Sequence, residues 1–499
     1  MQLAKRPRDK GFAVIMTTLS LVATMLVAGL GFDVGIMYLI RTKLQGAADA
    51  AALAAVRALA ANGNMSAAQT VGTEFLIANF PTGYWGATAL STMPVASALT
   101  ITLIQPNGSA GTAGTTATAK LVTVNIGVTA PLYFLRMLGQ NMATISVTAQ
   151  GKREGLLVML VLDGSGSMWN LIAGTPAFTW AMNDAQAFLG NPQFDPDIDR
   201  VGLVVFGGNA FTVAPIANFQ SPAGTVNTSS SVYTALNSYG GSGNTNTSLG
   251  LQAAYTAMQN FYGGAGASPN RANVLILMTD GAPNGFTADW TGQLQPGSTC
   301  APPSGGRFIG CVNRNSTVIA GIFNITPGTS ATTPDSTTLG VVANNGLCQM
   351  STNAGKFWKD FTMAPSTDSY GDALTGGNTY LPGTSLTFSA NFNGTSDQPT
   401  DEQQYRDLSS NAADGTATRL RTDSLLKIQI VTIALAGNSG TNIYDLLDPV
   451  LLQRMANATT SPIYDPTQPV GAYFYAQDAT YLGAEFAAAA STISARLYR

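Results

Sequence analysis

Residues 156–168 read LLVMLVLDGSGSM, and this stretch decides the fold. An unbroken apolar run of this kind, without polar alternation, is typical of a strand buried on both faces of a parallel sheet. The run stops at Asp163, and a turn of glycine and serine follows. In open α/β sheets, ligands bind at the carboxyl ends of such strands. The sequence therefore predicts an α/β domain with a site at this point.

The turn places one carboxylate and two hydroxyls at alternate positions, Asp163, Ser165 and Ser167. In a tight loop, side chains spaced in this way converge on one point. The glycines between them allow the backbone to curl. Hard oxygen donors suit Mg²⁺, Mn²⁺ or Ca²⁺, so the motif indicates a divalent-metal site.

Further strands and helices alternate along the chain. The predicted strands are 200–216 (two strands meeting at a turn), 273–284 and 426–435, and the predicted helices are 243–261 and 478–497. Thr245 stands just before one of these helices, and Asp280 ends a second buried strand. The alternation predicts a doubly wound, mainly parallel sheet.

This order resembles the von Willebrand factor A (vWA) domain over residues 156–285 and again from 425 to the end. The resemblance implies a metal-ion-dependent adhesion site that holds Mg²⁺, with Mn²⁺ or Ca²⁺ as alternatives. Its ligands would be Asp163, Ser165 and Ser167 in the first loop, Thr245 in the second and Asp280 in the third. One coordination position would remain for water or for a carboxylate of a protein partner. Two alternatives are ordinary strand-end turns and a degenerate vWA domain that binds metal weakly.

The N-terminus carries a predicted transmembrane helix. Residues 12–32 contain no charge over 21 positions, and a bilayer core needs about 20 such residues. Basic residues in the preceding tail, 1–11, predict that this end stays cytoplasmic and that the rest is exported. We therefore expect a single-pass protein of the bacterial inner membrane with its bulk in the periplasm or outside the cell. A cleavable signal peptide is the alternative, but it usually has a shorter apolar region and an A-x-A site.

An Ala-rich helical extension is predicted for residues 33–61. Asp33, at the edge of the apolar span, is expected to be solvated. Gly31 and Gly35 have the GxxxG spacing of associating membrane helices, although small residues on an anchor explain it equally.

The stretch GFDVGIMYLIRTKLQGAADAAALAA, residues 31–55, resembles the N-terminus of TadG-like proteins of the Tad (Flp) pilus-assembly system. Asp33-Val34-Gly35 and the Ala-rich run 44–55 carry the resemblance. It implies pilus subunits or assembly components as partners. Related TadE proteins are cut by a prepilin peptidase and carry a glutamate shortly after the cut. Met16 stands at the corresponding position, so we do not expect that processing.

Two segments separate these features. Residues 62–154 are predicted to form a small β-rich spacer with strands at 98–105, 121–130 and 142–152. The vWA domain, 155–499, carries a long insert at about 285–400 with loop composition. The insert is either a partner-selecting surface or a tolerated loop. It holds Cys300, Cys311 and Cys348. Their spacing alone does not decide which of them would pair in a disulfide.

FDPDIDR, residues 194–200, places three aspartates at alternate positions, as in a calcium loop. The glycine and distal glutamate of an EF-hand are missing, since Arg200 and Phe206 stand there. We expect a solvated turn before a strand.

Composition limits the function. Charged residues are only 10% of the 499, the net charge is -3 and histidine is absent. These values argue against nucleic-acid binding and exclude Ser-His, Cys-His and His-zinc chemistry. We therefore expect a non-enzymatic binding or assembly protein. An enzyme with a metal-activated water, and a purely structural envelope protein, are the alternatives.

Overall fold

The computed structural model divides the chain into two compact units, one ending at Arg153 and the other beginning at Glu154. It describes residues 9–62, 64–92, 98–105, 109–111, 117–221, 224–237, 245–263, 271–290, 293, 308–311, 321–324, 363–387, 399–436 and 447–494. Cys300, Cys348 and the side chain of Cys311 lie outside these residues. Any disulfide among the three cysteines therefore lies outside them as well.

The N-terminal unit begins with one uninterrupted helix, α1 (Asp9–Asn62), of 54 residues. No proline interrupts it, so at 1.5 Å per residue it is about 80 Å long. Helix α2 (Met65–Asn79) follows, and the Asn64 side chain caps it by accepting the Ser66 and Ala67 N–H groups. The strands of this unit are β1 (Leu99–Ile104), β2 (Ala110–Gly111), β3 (Ala119–Pro131) and β4 (Met142–Glu154), in the order β2-β1-β3-β4.

The second half of α1 supplies one wall of this unit's core. Its buried residues recur every three or four positions and include Ile36, Ile40, Leu44, Ala48 and Leu59. This spacing gives a helix one apolar stripe, which packs here against α2 and the inner face of the sheet. Nearer the N-terminus of α1, the side chains from Phe12 to Ala28 are all exposed. Among the described residues, one helix segment, Phe12–Leu59, is long and apolar enough to cross a membrane.

One expectation for the N-terminal unit was incomplete and one was wrong. The segment 62–154 contains the three predicted strands, as β1, β3 and β4, and also helix α2, whose residues pack on α1. Asp33 is not solvated: it is 1% exposed and accepts hydrogen bonds from the backbone N–H groups of Tyr133, Phe134 and Leu135. Its partners lie about a hundred residues away, so no local pattern indicates them.

A six-stranded sheet forms the centre of the second unit. Its strands are β5 (Leu156–Asp163), β8 (Arg200–Phe206), β9 (Ala210–Ala217), β10 (Ala272–Thr279), β14 (Gln429–Leu435) and β15 (Ala472–Ala476), in the order β15-β14-β10-β5-β8-β9. All neighbours pair in parallel except β9, an antiparallel edge strand. Every residue of β5 is buried. Its even-numbered side chains from Leu156 belong to one core and its odd-numbered ones from Leu157 to the other.

Among the described residues, three helices pack on each face of this sheet. Residues of α3 (Ala177–Leu189), α4 (Ser231–Asn237) and α8 (Leu482–Ser494) belong to the first core. Residues of α5 (Thr247–Phe261), α6 (Pro399–Thr422) and α7 (Pro449–Ala456) belong to the second. The predicted fold class is confirmed: a long apolar N-terminal helix comes first in the chain, and a doubly wound, mainly parallel α/β sheet follows it. Strand β15 and helices α2, α3, α4 and α7 were not predicted from the sequence.

Part of the insert is built into the domain. Short strands β11 (Gly285–Ala288), β12 (Phe308–Cys311) and β13 (Gly321–Asn324) form an antiparallel sheet, and a β6–β7 hairpin (Leu171–Ile172 and Thr175–Pro176) lies earlier in the chain. The buried rings of Phe286 and Trp290 stack with Tyr405 of α6. Described residues 363–387 are held to α6 by the Asp372–Arg419 ion pair at 3.0 Å. The loop composition of the insert did not indicate these contacts.

The turn FDPDIDR precedes β8 as expected, but it is not solvated. Asp195 and Asp199 are fully buried. The Asp199 carboxylate accepts the backbone N–H groups of Leu156 at 2.8 Å and Asp195 at 2.7 Å. Asp199 therefore fixes the start of β5.

Candidate metal centre

The first loop of the predicted site curls over the end of β5. The Gly164 N–H donates to the Phe206 carbonyl at 2.6 Å, which holds the loop against the neighbouring strand. The Ser165 N–H then donates to Oδ1 of Asp163 at 2.7 Å. A single 3₁₀ turn, Gly166–Trp169, follows and points the chain away from the sheet. This local geometry brings Ser165 and Ser167 to the same side of the loop as Asp163.

The hydroxyls of this loop connect it to the third loop. Ser165 Oγ and Ser167 Oγ lie 2.9 Å apart, and Ser167 Oγ donates to Oδ1 of Asp280 at 2.7 Å. The Asp280 backbone N–H also bonds to the Asp163 carboxylate. The structure thus brings four of the five predicted site residues into one hydrogen-bonded group at the carboxyl edge of the sheet.

Thr279 is a site residue that the sequence analysis did not identify. Its Oγ1 donates to Oδ2 of Asp163 at 2.5 Å. Strands β5 and β10 pair with Leu162 opposite Met278, so the next residues, Asp163 and Thr279, are also neighbours. The sequence shows a threonine before Asp280, but the strand register that gives it a role is a tertiary property.

Burial has the largest effect on the pKa of Asp163. The side chain is completely buried. Burial raises its pKa, while hydrogen bonds from Thr279, Ser165 and the Asp280 N–H act to lower it, and the net shift is upward. The ionised carboxylate therefore lacks full compensation from these neutral donors, and a bound cation would provide it.

Thr245 lies at the beginning of α5, beside the same edge. Its N–H donates to Oδ1 of Asn284 at 2.6 Å, and the Asn284 N–H donates to the Thr245 carbonyl at 2.9 Å. This pair ties Thr245 to the segment that follows Asp280. Within the described part of the chain, the hydrogen bonds that join the other four residues do not include the Thr245 hydroxyl. Asn284 was also missed in the sequence, because its role depends on this long-range pairing.

The donor set fits a hard divalent cation. Among the described residues, no group of three or more Cys, Asp or Glu side chains is arranged to hold a metal. The loops instead offer two carboxylates, Asp163 and Asp280, and the hydroxyls of Ser165 and Ser167. Oxygen-only sets of this kind select Mg²⁺, Mn²⁺ or Ca²⁺ over softer metals. Four of the five predicted ligands therefore lie together, and Thr245 lies beside the same edge.

Comparison with known families defines the class of this fold and site. The von Willebrand factor type A domain matches residues 158–302. The second unit therefore contains a vWA-type segment over residues 158–302. The Flp pilus-assembly TadE/G-like family matches residues 11–60. The chain thus carries a TadE/G-like N-terminal segment followed by a vWA domain, which confirms both resemblances seen in the sequence.

Solved structures with detectable similarity are distant. The PilB minor pilin from Streptococcus sanguinis is 15% identical, with 76% of each chain covered and a TM-score of 0.37. The vWF domain of the type V pili tip protein Mfa5 from Porphyromonas gingivalis is 14% identical, covering 70% of this chain and 97% of that one, with a TM-score of 0.35. Proximal thread matrix protein 1 from the mussel byssus, in a form with a zinc-occupied MIDAS motif, is 11% identical, covering 68% and 46%, with a TM-score of 0.30. No curated protein sequence matches the chain.

Proposed function

We propose that this chain is a membrane-anchored binding protein that presents a divalent-metal-dependent vWA domain to a protein partner in Flp pilus assembly or surface adhesion. The observation that carries the proposal is the hydrogen-bonded group of Asp163, Ser165, Ser167 and Asp280 at the ligand-binding edge of the sheet. The TadE/G-like segment supports the pilus context. The absence of histidine and the oxygen-only donor set favour binding over catalysis.

Mg²⁺ is the expected ion, with Mn²⁺ or Ca²⁺ as alternatives, and its ligands would be Asp163, Ser165, Ser167, Thr245 and Asp280. When bound, the ion supplies a localised positive charge that an acidic side chain of the partner can ligate. Further residues of this chain orient the groups around that coordination position. Thr279 orients the Asp163 carboxylate, and Asn284 holds the Thr245 backbone. The partner would be a pilus subunit, an assembly component or a surface ligand.

The anchor is the exposed apolar half of α1, residues 12–32. Its hydroxyl side chains do not leave donors unpaired: Thr17, Thr18 and Thr24 each donate to the carbonyl four residues earlier. Such internal bonds allow hydroxyl residues within a hydrocarbon layer. The basic tail before the span favours a cytoplasmic N-terminus and an exported vWA domain, in the bacterial inner membrane.

Calorimetric titration of Mg²⁺ and Mn²⁺ into the full-length chain in lipid nanodiscs tests the metal site. Binding should disappear in Asp163→Ala and weaken in Ser167→Ala, and it should persist in the control Ser229→Ala, an exposed serine elsewhere in the same domain. Envelope proteins captured by the parent should be released by EDTA. If the folded parent binds neither ion and EDTA does not release its captured proteins, the vWA domain is a structural module and the metal-dependent function is wrong.

A further inference from the structure

The connection between β3 and β4, residues 132–141, is fastened to α1 where the apolar span ends. Oδ1 of Asp33 accepts the Tyr133 N–H at 2.9 Å, and Oδ2 accepts the N–H groups of Phe134 at 3.0 Å and Leu135 at 2.7 Å. These donors open the 3₁₀ turn Leu135–Leu138 and have no partner within it. A carboxylate that accepts three backbone N–H groups is a strong, directional attachment.

Aromatic packing extends this attachment along the helix from Asp33 towards the N-terminus. Phe32 makes edge-to-face contacts with Tyr133 at 6.2 Å and Phe134 at 5.6 Å between ring centroids. The Phe134 ring lies directly on Gly29, where an added Cβ would come within 2.5 Å of it. Gly29 is inside the apolar span, four residues before Asp33, so Phe134 reaches about 6 Å past Asp33 towards the membrane segment.

The outer surface of this connection is apolar. Met137 is 78% exposed and Leu138 is 63% exposed, and Tyr133 and Phe134 are partly exposed. Exposed apolar side chains of α1, including Leu26 and Leu30, lie on either side of Gly29 in the chain. The charged side chain in the connection, Arg136, is exposed, and its long stem allows the guanidinium to reach lipid phosphates. An aromatic and aliphatic rim with one basic residue is the composition of a membrane–water interface.

We propose that the β3–β4 connection is a second membrane-contacting element, which places Phe134, Met137 and Leu138 in the interfacial layer of the bilayer on the exported side of α1. The occupant of this surface is lipid, because Phe134 packs on Gly29, inside the segment that would lie in the hydrocarbon layer. At that boundary the connection buries Asp33 and supplies the N–H groups that its carboxylate accepts. The inference rests on the proposed anchoring by residues 12–32 and adds a contact that orients the N-terminal unit on the membrane.

The test uses the full-length chain in nanodiscs of phosphatidylethanolamine and phosphatidylglycerol. An environment-sensitive fluorescent amino acid is encoded at Met137, whose exposure makes the replacement tolerable. Matched probes stand at Val27, inside the apolar span, and at Arg57, exposed 24 residues beyond Asp33 on the same helix. Quenching is measured with lipids brominated on their acyl chains and with aqueous iodide.

The proposal expects brominated lipid to quench the probes at 137 and 27, and expects iodide quenching at 137 to be at least fivefold weaker than at 57. Lipid quenching at 27 together with full iodide access at 137 would refute the second contact and leave the anchor intact. A probe at 137 that neither agent reaches would mean that protein rather than lipid covers the surface, which also overturns the proposal. Iodide access at 27 would refute the anchor and the inference together.

Discussion

Thr279 Oγ1 donates a 2.5 Å hydrogen bond to Oδ2 of Asp163, and both side chains are buried at the carboxyl edge of the central sheet. The bond leaves Oδ1 to the first loop, whose Ser165 N–H donates to it. The orientation of the central carboxylate is therefore set from two neighbouring strands. If Asp163 ligates a metal as proposed, its orientation depends on residues that do not touch the ion.

Thr279→Val should weaken Mg²⁺ binding by about 10–100-fold, the usual cost of losing such a supporting hydrogen bond. Thr279→Ser, which keeps the hydroxyl, should bind nearly as the parent does. The control is Thr432→Val in the adjacent strand β14, where an equally buried threonine donates to the Leu452 carbonyl instead. Calorimetric titration decides, and equal losses in both valine variants would show that the effect is general destabilisation.

Asn284→Ala should lower Mg²⁺ affinity by roughly tenfold, because the Asn284 side chain fixes the Thr245 N–H at 2.6 Å. Asn273→Ala is the matched control. Asn273 is buried near the opposite end of β10 and donates to the Leu426 carbonyl, so its loss should cost stability without changing metal affinity. Titration of both variants beside Thr245→Ala tests whether Thr245 belongs to the site. An unchanged affinity in Thr245→Ala would remove it from the ligand set.

Asp33→Ala should release the start of the β3–β4 connection. Three N–H groups would lose their acceptor, and each hydrogen bond to a charged group contributes about 1.5–3 kcal/mol. Amide hydrogen exchange at residues 133–135 should therefore become faster by roughly tenfold or more. Asp49→Ala, on an exposed part of the same helix, is the control and should leave this exchange unchanged. Protection that survives in Asp33→Ala would mean that aromatic packing alone holds the connection.

Gly29→Ala should displace the Phe134 ring, because the new Cβ would lie 2.5 Å from its Cγ and Cδ1 atoms. Gly31→Ala meets no atom within 4 Å and serves as the control two residues along the helix. Hydrogen exchange over residues 132–141 should rise in the first variant only. Equal exchange in the two variants would contradict the packing of Phe134 on Gly29.

The stability of the vWA domain should depend on the protonation of Asp368. Burial and the neighbouring charge of Asp372 raise the pKa of Asp368 from its ordinary value of 3.8 to about 6. The folded state therefore retains a proton that the unfolded state releases. The resulting stability is fully present below about pH 4 and is lost as the pH rises through about 6.

Asp368→Asn removes this titration. Measured from pH 4 to 8, the unfolding free energy of the parent should fall relative to the variant by on the order of 2 kcal/mol. Chemical unfolding of the full-length chain, followed by tryptophan fluorescence, gives the difference at each pH. Parallel pH profiles for parent and variant would contradict the upward shift of the Asp368 pKa.

Local patterns were sufficient for the main features of the chain. The continuous apolar run of β5 indicated a strand buried on both faces, and the structure has helices on each side of it. The DGSGS turn and the aspartate after β10 indicated site residues, and four of the five are joined by hydrogen bonds. These features could be predicted because hydrophobic periodicity and turn composition are properties of neighbouring residues.

Tertiary structure alone decided which distant groups meet. Thr279 supports Asp163 because two parallel strands pair in one particular register. Asn284 holds Thr245 across 39 positions, and Asp33 is buried by N–H groups about a hundred positions away. Local sequence patterns alone indicated the mainly parallel sheet through five of its six strands, the polar loops after β5 and β10, and the apolar helix. The supporting contacts depend on strand register and on the packing of whole elements, which short-range sequence patterns do not encode.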